Sequence, residues 1–329
     1  MLQPRIWPDD IPEFPIRIDA DWKLASTVDD QSFLLGVNSD GMLVSWKTAI
    51  TPSLLIQGRA GSGKSSLMQV PAVEALIRNY KVVVADPIKG ADDFRSWAEK
   101  RSVSFIGQGD FRGTEAVVLW VENEISRRIN LLMKNNAPNI NSLAEPERPQ
   151  RILLVFDEFG GYMKSIKELF PNPNGDASIN QINRQIKWKN DSILRTCAAL
   201  ARIAVKGRTV GVNLLLGAQH LVRDDFHPII GGNMFFKSLG KIVLGRMTLT
   251  DIVEPQNITE ANLLQGKMDD AIGRGIYETC DGRMTDLQSW WSGGNVAIED
   301  VLAGAPIMSA VPPVEKIDFG SVKPELTYL

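Results

Sequence analysis

Residues 54–67, with the sequence LLIQGRAGSGKSSL, decide the fold of this chain. An apolar run leads into a glycine-rich loop and then into a helix-forming run, which predicts a strand, a phosphate-binding loop and a helix. Gly58, Gly63, Lys64 and Ser65 satisfy the motif GxxxxGKS/T in that context. We interpret the stretch as a nucleotide site; the alternative is a glycine-rich turn that matches the motif by chance.

The residue types in this loop suit the binding of phosphate groups. Glycine has no Cβ, so the backbone can curl and direct successive N–H groups at phosphate oxygens, and the helix that follows adds the positive end of its dipole. Lys64 is predicted to bridge the phosphates, and the Ser65 hydroxyl to bind Mg²⁺. The predicted ligands are therefore ATP and Mg²⁺, and the residues predicted to surround the phosphates are Gly58, Gly61, Ser62, Gly63, Lys64, Ser65 and Ser66.

A second buried strand is predicted at 151–159, where RILLVFDEF runs from apolar residues into two acids. A strand of this kind delivers carboxylates to its exposed end. Asp157 is predicted to complete the Mg²⁺ shell, and Glu158 to orient and deprotonate the attacking water. Acidic residues are common where loops start, so this strand is weak evidence alone. Its position after the phosphate loop is what supports a catalytic role.

Further along the chain, the pattern predicts other elements at the same edge of a sheet. Residues 81–85 and 212–217 read as buried parallel strands, and Gln219 follows the second of them, in a position to sense the γ-phosphate. Shorter strands are predicted at 242–244 and 272–277. The fold class predicted from this order is α/β with a mostly parallel central sheet.

The chain is predicted to divide into three parts. Residues 1–45 form an extended proline-rich arm and a β-hairpin, whose strands lie at 32–37 and 42–46. Residues 46–300 form the ATPase domain, which contains an insertion at about 160–190. Residues 301–329 form an extended C-terminal tail. The insertion carries Arg184, Lys187, Trp188 and Lys189, which suit contact with nucleic acid; the alternative is a solvated loop.

Composition sets limits on location and partners. The net charge is −3, and the first 50 residues hold four basic against eight acidic residues, so no overall basic field indicates nucleic acid. Two distant cysteines, no leader-like start and no apolar run of membrane-spanning length predict a cytoplasmic protein with reduced thiols. A partner that recruits it to the inner face of the membrane would have to be a separate chain.

Several segments together resemble the motor domain of the FtsK/SpoIIIE DNA translocases, within the FtsK/HerA class of ring ATPases that includes the conjugative coupling proteins. The resemblance covers roughly residues 34–290, and its most specific part is GRTVGVNLLLGAQ at 207–219. It implies a RecA-like P-loop NTPase core, assembled as a hexamer around DNA with ATP bound between neighbours. The other matching segments are 54–66, Asp86-Pro87 with Lys89, 125–141 and 152–158.

The resemblance also implies roles for individual residues. Lys64 and Ser65 match the Walker A pair, and Asp157 and Glu158 match the Walker B pair. Gln219 matches the sensor glutamine. Arg208 matches the arginine that coupling proteins insert into a neighbour's site, where it would neutralise transition-state charge; the alternative is an exposed turn residue. The chain departs from the family pattern at Gly217-Ala218-Gln219, where the family has Ala-Thr-Gln, and at Asp86-Pro87-Ile88-Lys89, where the family has Asp-Pro-Lys.

Three functions remain open at this point. The first is a DNA translocase or coupling motor for plasmid, integrative-element or phage DNA, with double-stranded DNA expected before single-stranded DNA and a membrane channel as a separate partner. The second is a type VII-like protein-secretion motor, although such motors usually carry several ATPase domains in one chain. The third is a nucleotide-gated docking platform, which would have no use for Glu158. The sequence shows no LSGGQ-like signature before 151 and no Asn-Lys-x-Asp motif, which argues against an ABC ATPase and a GTPase.

Overall fold

The computed structural model describes residues 17–90, 92–100, 104–250, 252–266 and 268–305. The first 16 residues of the predicted arm, and the predicted tail from residue 306 onward, lie outside the described residues. The division of the chain into arm, motor domain and tail therefore stays a prediction.

Among the described residues, eleven strands form one sheet. They are β1 (Ile18–Asp19), β2 (Ser32–Val37), β3 (Leu43–Lys47), β4 (Ser53–Gly58), β5 (Lys81–Ala85), β6 (Ser104–Ile106), β7 (Ile152–Phe156), β8 (Val212–Ala218), β9 (Leu239–Leu244), β10 (Arg274–Glu278) and β11 (Met284–Trp291). The order across the sheet is β3-β2-β11-β10-β9-β4-β8-β7-β5-β6, and β1 pairs with β11.

The helices of the described residues connect and cover these strands. They are α1 (Trp22–Ala25), α2 (Lys64–Ile77), α3 (Asp92–Lys100), α4 (Phe111–Lys134), α5 (Phe159–Met163), α6 (Ala177–Lys206), α7 (Gly232–Ser238), α8 (Ile258–Gly266) and α9 (Gly294–Leu302). Short 3₁₀ turns lie between several of them, including one at Arg208–Val210.

The sheet is mixed rather than mostly parallel. Six neighbouring strands, from β9 through β4, β8, β7 and β5 to β6, run parallel. Beyond β9, the strands β10, β11, β2 and β3 are joined by antiparallel pairs. The prediction of a mostly parallel sheet thus describes the part built from buried apolar runs and misses the antiparallel extension.

Side chains that alternate along the parallel strands pack into two hydrophobic layers. In β4, Leu55 joins the layer built with α4, α5, α6 and α7, whereas Leu54 and Ile56 join the layer built with α2, α3 and α9. Successive side chains of a strand point to opposite faces, so a parallel strand with helices on both sides is apolar throughout. The result is a helix–sheet–helix sandwich whose carboxyl edge carries the candidate site.

The region predicted as a loop insertion is largely helical. Helix α6 starts at Ala177, inside the predicted insertion, and the Asp176 side chain caps it by accepting hydrogen bonds from the N–H groups of Ser178 and Ile179. Its described residues before Ser192 include none that is fully buried. Ile179, Ile182 and Ile186 fall at helical spacing in this half, but they lie among polar residues and are only partly buried, so hydrophobic periodicity gives a weak signal there.

The predicted hairpin is present as β2 and β3, and it reaches the rest of the sheet through β11. Strand β11 was not predicted from the sequence. Its first half places polar residues between Met284 and Leu287, so it contains no apolar run. It ends at the tryptophan pair Trp290-Trp291. Trp290 is buried, whereas Trp291 is 37% exposed beside the cleft described below.

Candidate nucleotide-binding site

The phosphate loop adopts the tight curve that its glycines predict. It joins β4 to α2, and Gly61 and Gly63 have φ angles of 79° and 95°, in the left-handed region that favours glycine. A Cβ on Gly63 would lie 3.2 Å from the backbone nitrogen of Gly273, so the loop also packs closely against the chain before β10. Among the described residues, no side chain caps the N-terminus of α2, which leaves its first N–H groups for a bound anion.

Strand register brings the predicted site residues to one edge of the sheet. Gln57 pairs with Ala218, so Gln219 emerges beside the phosphate loop. Phe156 pairs with Leu216 on one side and with Ala85 on the other, so Asp157 and Glu158 emerge next to Gln219 and Asp86. The carboxyl edge of an open α/β sheet is the usual place for a ligand.

A cleft of about 1020 Å³ opens at this edge. It is large enough to hold a nucleoside triphosphate. Two walls were not anticipated from the sequence: the loop at 269–273 and the end of β11. The cleft is lined by Arg17, Gly58, Arg59, Ala60, Gly61, Gly63, Lys64, Ser65, Ser66, Lys89, Gln219, Asp269, Asp270, Ala271, Ile272, Gly273, Gln288, Ser289, Trp290 and Trp291.

Lys64 joins the two halves of the predicted site. Its buried ammonium forms a close hydrogen bond with Oδ1 of Asp157 and lies 3.3 Å from Oε1 of Glu158. All three side chains are at most 6% exposed. Burial raises the pKa of Asp157 above its usual value, against the opposing charge of Lys64. The Lys64 ammonium thus lies between the two carboxylates and offsets part of their charge.

Glu158 has an unusual backbone conformation. Its φ and ψ angles are 51° and 35°, in the left-handed region that non-glycine residues seldom adopt. Oε1 of Glu158 also accepts a close hydrogen bond from the ammonium of Lys89. Burial alone would raise the pKa of Glu158, but the Lys89 hydrogen bond and the Lys64 charge hold it below the usual value. Strained residues of this kind concentrate at functional sites.

The residues at the cleft fit a magnesium–nucleotide complex. The Ser62 hydroxyl is buried, has no hydrogen-bond partner among the described residues, and would lie 2.2 Å from a Cβ on Gly58. The loop thus offers a compact cradle of N–H and hydroxyl groups with a lysine beside it, which suits phosphate oxygens. Ser65 and Asp157 provide hard oxygen ligands of the type that Mg²⁺ prefers.

Arg208 does not lie at its own chain's cleft. It is exposed and precedes β8, whereas Gln219 follows the carboxyl end of the same strand, so the length of the sheet separates them. Arg128 holds the turn that carries Arg208, because its buried guanidinium donates a hydrogen bond to the Val210 carbonyl at 2.8 Å. Gly211 has a φ of 66° and packs against Ile140. The arginine is therefore presented outward on a rigid turn.

The departure from the family's Ala-Thr-Gln has a structural reason. A Cβ on Gly217 would lie 2.3 Å from Oδ1 of Asp157 and 2.5 Å from Sδ of Met68. The methionine of α2 and the carboxylate already fill the space in which an alanine methyl group would stand. A glycine at this position lets Asp157 stay close to the phosphate loop.

We expect Gly217→Ala to displace the Asp157 carboxylate, lowering ATP hydrolysis about tenfold and the free energy of unfolding by about 1–3 kcal/mol. Steady-state hydrolysis and urea unfolding measure the two effects. Gly266→Ala, where a Cβ would meet nothing within 4 Å, is the matched control. Unchanged activity and stability in Gly217→Ala would contradict the close packing described here.

The described residues include no helix that is both long and apolar enough to cross a membrane. Comparisons with protein-family models and with curated proteins find no match. The likeness to known proteins therefore comes from solved structures.

Several solved structures share this fold. The conjugation coupling protein TcpA of pCW3, a monomer form with ATPγS, has a TM-score of 0.67 and 17% identity, covering 89% of this chain and 75% of that one. The cytoplasmic domain of the Thermomonospora curvata type VII secretion ATPase EccC has a TM-score of 0.60 and 15% identity over 90% of this chain. EssC (ATPases 2 and 3) from Geobacillus thermodenitrificans has a TM-score of 0.58 and 14% identity over 92%.

These structures are P-loop ATPases of the FtsK/HerA class, so the resemblance stated from the sequence is confirmed at the level of the fold. The chain spans 34% of the EccC structure and 55% of the EssC structure. This chain thus shares its fold with a conjugation coupling protein and with type VII secretion ATPases.

Proposed function

We propose that this chain is an ATPase motor that assembles as a ring, a hexamer by resemblance, and drives DNA transfer for a plasmid, an integrative element or a phage. The observation that carries the proposal is the convergence of the phosphate loop, Asp157, Glu158 and Gln219 at one edge of the sheet. The likeness to TcpA, a conjugation coupling protein with a bound ATP analogue, supports the assignment of a nucleotide to this cleft.

Lys64 and Asp157 are in close contact at the cleft. With nucleotide bound, the Lys64 ammonium would contact the phosphates and Asp157 would hold Mg²⁺. Glu158 then acts as the base that orients and deprotonates water, and Gln219 contacts the γ-phosphate region. Bound Mg²⁺ supplies charge neutralisation at the phosphates.

Arg208 is proposed to complete the cleft of a neighbouring subunit. Its position across the sheet from its own phosphate loop supports action between chains rather than within one. Such an arginine links hydrolysis to assembly, because transition-state charge is neutralised only when two subunits meet.

We expect Arg208→Ala to lower ATP hydrolysis about a hundredfold without weakening ATP binding to the same chain, since one charge-stabilising donor is lost. Arg202→Ala is the matched control, because Arg202 is an exposed arginine of α6 that pairs with Glu122 instead. Mixing Arg208→Ala with Glu158→Gln subunits should restore activity, because some interfaces then combine an intact base with an intact arginine. Mixtures that stay inactive would contradict action between chains.

Double-stranded DNA is the proposed track, and a separate membrane channel is the proposed partner that holds this otherwise cytoplasmic motor at the membrane. The grip is expected to fall on phosphates and to weaken with salt. ATPase rates of the full chain without nucleic acid, with double-stranded DNA and with single-stranded DNA test this. Stimulation of at least about tenfold by double-stranded DNA supports the proposal.

A protein-secretion motor is the second candidate. The TM-scores of the EccC and EssC structures, 0.60 and 0.58, lie close to the 0.67 of the TcpA structure. Hydrolysis that is measurable but indifferent to both DNA forms would favour this function. The absence of nucleotide binding would contradict both motors.

A further inference from the structure

Lys89 occupies a rigid turn beside the cleft. Oδ1 of Asp86 accepts hydrogen bonds from the N–H groups of Ile88 and Lys89 at 3.1 and 2.8 Å. Gly90 closes the turn with a φ of 93° and donates to the Asp86 carbonyl at 3.1 Å. Because β5 and β7 are adjacent parallel strands, this turn emerges next to Glu158. Three hydrogen bonds thus hold the turn that carries Lys89.

Lys89 and Glu158 are unequally accessible. The Lys89 side chain is 51% exposed, whereas that of Glu158 is 5% exposed. A half-exposed ammonium reaches a second acceptor without losing much hydration, and the buried Glu158 still has the Lys64 ammonium at 3.3 Å when Lys89 leaves. Lys64, by contrast, is buried with its carboxylates. Of the two lysines among the described residues that line the cleft, Lys89 is therefore the one that can change partner at small cost.

A change of partner by Lys89 affects how readily Glu158 accepts a proton. Oε1 of Glu158 is in contact with the ammonium groups of both Lys64 and Lys89. A carboxylate held in this way is a poor acceptor for a proton from water. A γ-phosphate in the cleft would offer Lys89 a more highly charged acceptor at the same opening of the cleft.

We propose that Lys89 is a positioning residue that holds Glu158 while no triphosphate is present, and that transfers to the γ-phosphate when ATP binds. The inference rests on the proposed nucleotide site and adds a γ-phosphate contact that leaves Glu158 free to accept a proton. Glu158 and the γ-phosphate thus compete for one ammonium group. This competition distinguishes the role from a purely structural one.

The test is the preference of the full chain for ATPγS over ADP, both with Mg²⁺, expressed as the ratio of dissociation constants from calorimetry. We expect Lys89→Met to lower this preference about fivefold in the otherwise unchanged chain. In the Glu158→Gln background, where the competing charge is gone, Lys89→Met should lower it about tenfold or more. Lys89→Arg should retain most of the preference in both backgrounds.

Lys164→Met is the matched control, because Lys164 is 56% exposed and lies 3.6 Å from the carboxylate of Asp225 outside the cleft. Melting temperatures close to that of the unchanged chain establish that the variants are folded. An ATPγS preference that Lys89→Met leaves unchanged in both backgrounds, or an equal loss of affinity for both nucleotides, would overturn the inference. Failure of the unchanged chain to bind either nucleotide would instead overturn the proposed function on which it rests.

Discussion

Glu158→Gln is expected to lower ATP hydrolysis by about a thousandfold or more. Glutamine keeps the size of the side chain but cannot accept a proton from water. Binding of ATP should persist, because the phosphate loop and Asp157 are unchanged, and affinity for ATPγS should rise as Lys89 loses its carboxylate partner. Steady-state phosphate release and calorimetric titration with ATPγS measure the two parts of the expectation.

The buried pair of Lys241 and Glu278 offers a matched control for this substitution. Glu278 is 1% exposed and lies 3.2 Å from the Lys241 ammonium, and neither residue lines the cleft. Glu278→Gln should alter stability while hydrolysis per folded molecule remains. Hydrolysis by Glu158→Gln at more than about a tenth of the normal rate would exclude Glu158 as the essential base.

Lys64→Ala is expected to weaken the binding of ATP and ADP by about a hundredfold or more, because a charge-assisted contact to phosphate is lost. The same change removes the cation that contacts Asp157. An uncompensated buried carboxylate costs about 3 kcal/mol unless it binds a proton, so urea unfolding should also show a loss of stability.

Lys241→Ala separates these two effects, since it removes a buried, ion-paired lysine from the same sheet. It should lower stability to a similar extent and leave nucleotide affinity in place. Equal nucleotide affinities for Lys64→Ala and Lys241→Ala, each corrected for the folded fraction, would contradict a phosphate-binding role for Lys64.

The parts of the site that could be predicted from the sequence are those with local signals. The glycine pattern at 58–65 depends only on backbone conformation and on the adjoining strand and helix. An apolar run that ends in Asp157 and Glu158 reports a buried strand and its carboxyl edge. Register between parallel strands then brings these two segments together, as the close contact between Lys64 and Asp157 shows.

Other walls of the cleft have no local signal. The loop at 269–273 and the end of β11 are polar or irregular in sequence, and they reach the phosphate loop through contacts over more than 200 residues, such as the hydrogen bond from the Gly273 N–H to the Ser62 carbonyl. The sequence singles out Lys89 only through the family resemblance. Its proximity to the strand end at Asp86 was the signal that could have identified it.

Helix α6 shows how periodicity fails away from a core. Its buried residues begin at Ser192, so the apolar stripe marks only the half of the helix that packs on the sheet. The other half is held by polar side chains, which a hydrophobicity pattern does not detect. Asn183 and Asn190 each form two hydrogen bonds with the backbone of the preceding segment. The three isoleucines of this half, Ile179, Ile182 and Ile186, are only partly buried and lie among polar residues, so the hydrophobic signal there is weak.

The most direct test of a DNA motor is ATP-dependent displacement of a third strand from a double-stranded DNA track by the full chain. We expect displacement with ATP and none with ATPγS or with the Glu158→Gln variant. The rate should fall steeply as salt rises, because the grip on phosphates is electrostatic. A chain that hydrolyses ATP yet leaves the third strand in place under every salt condition would contradict DNA translocation as its function.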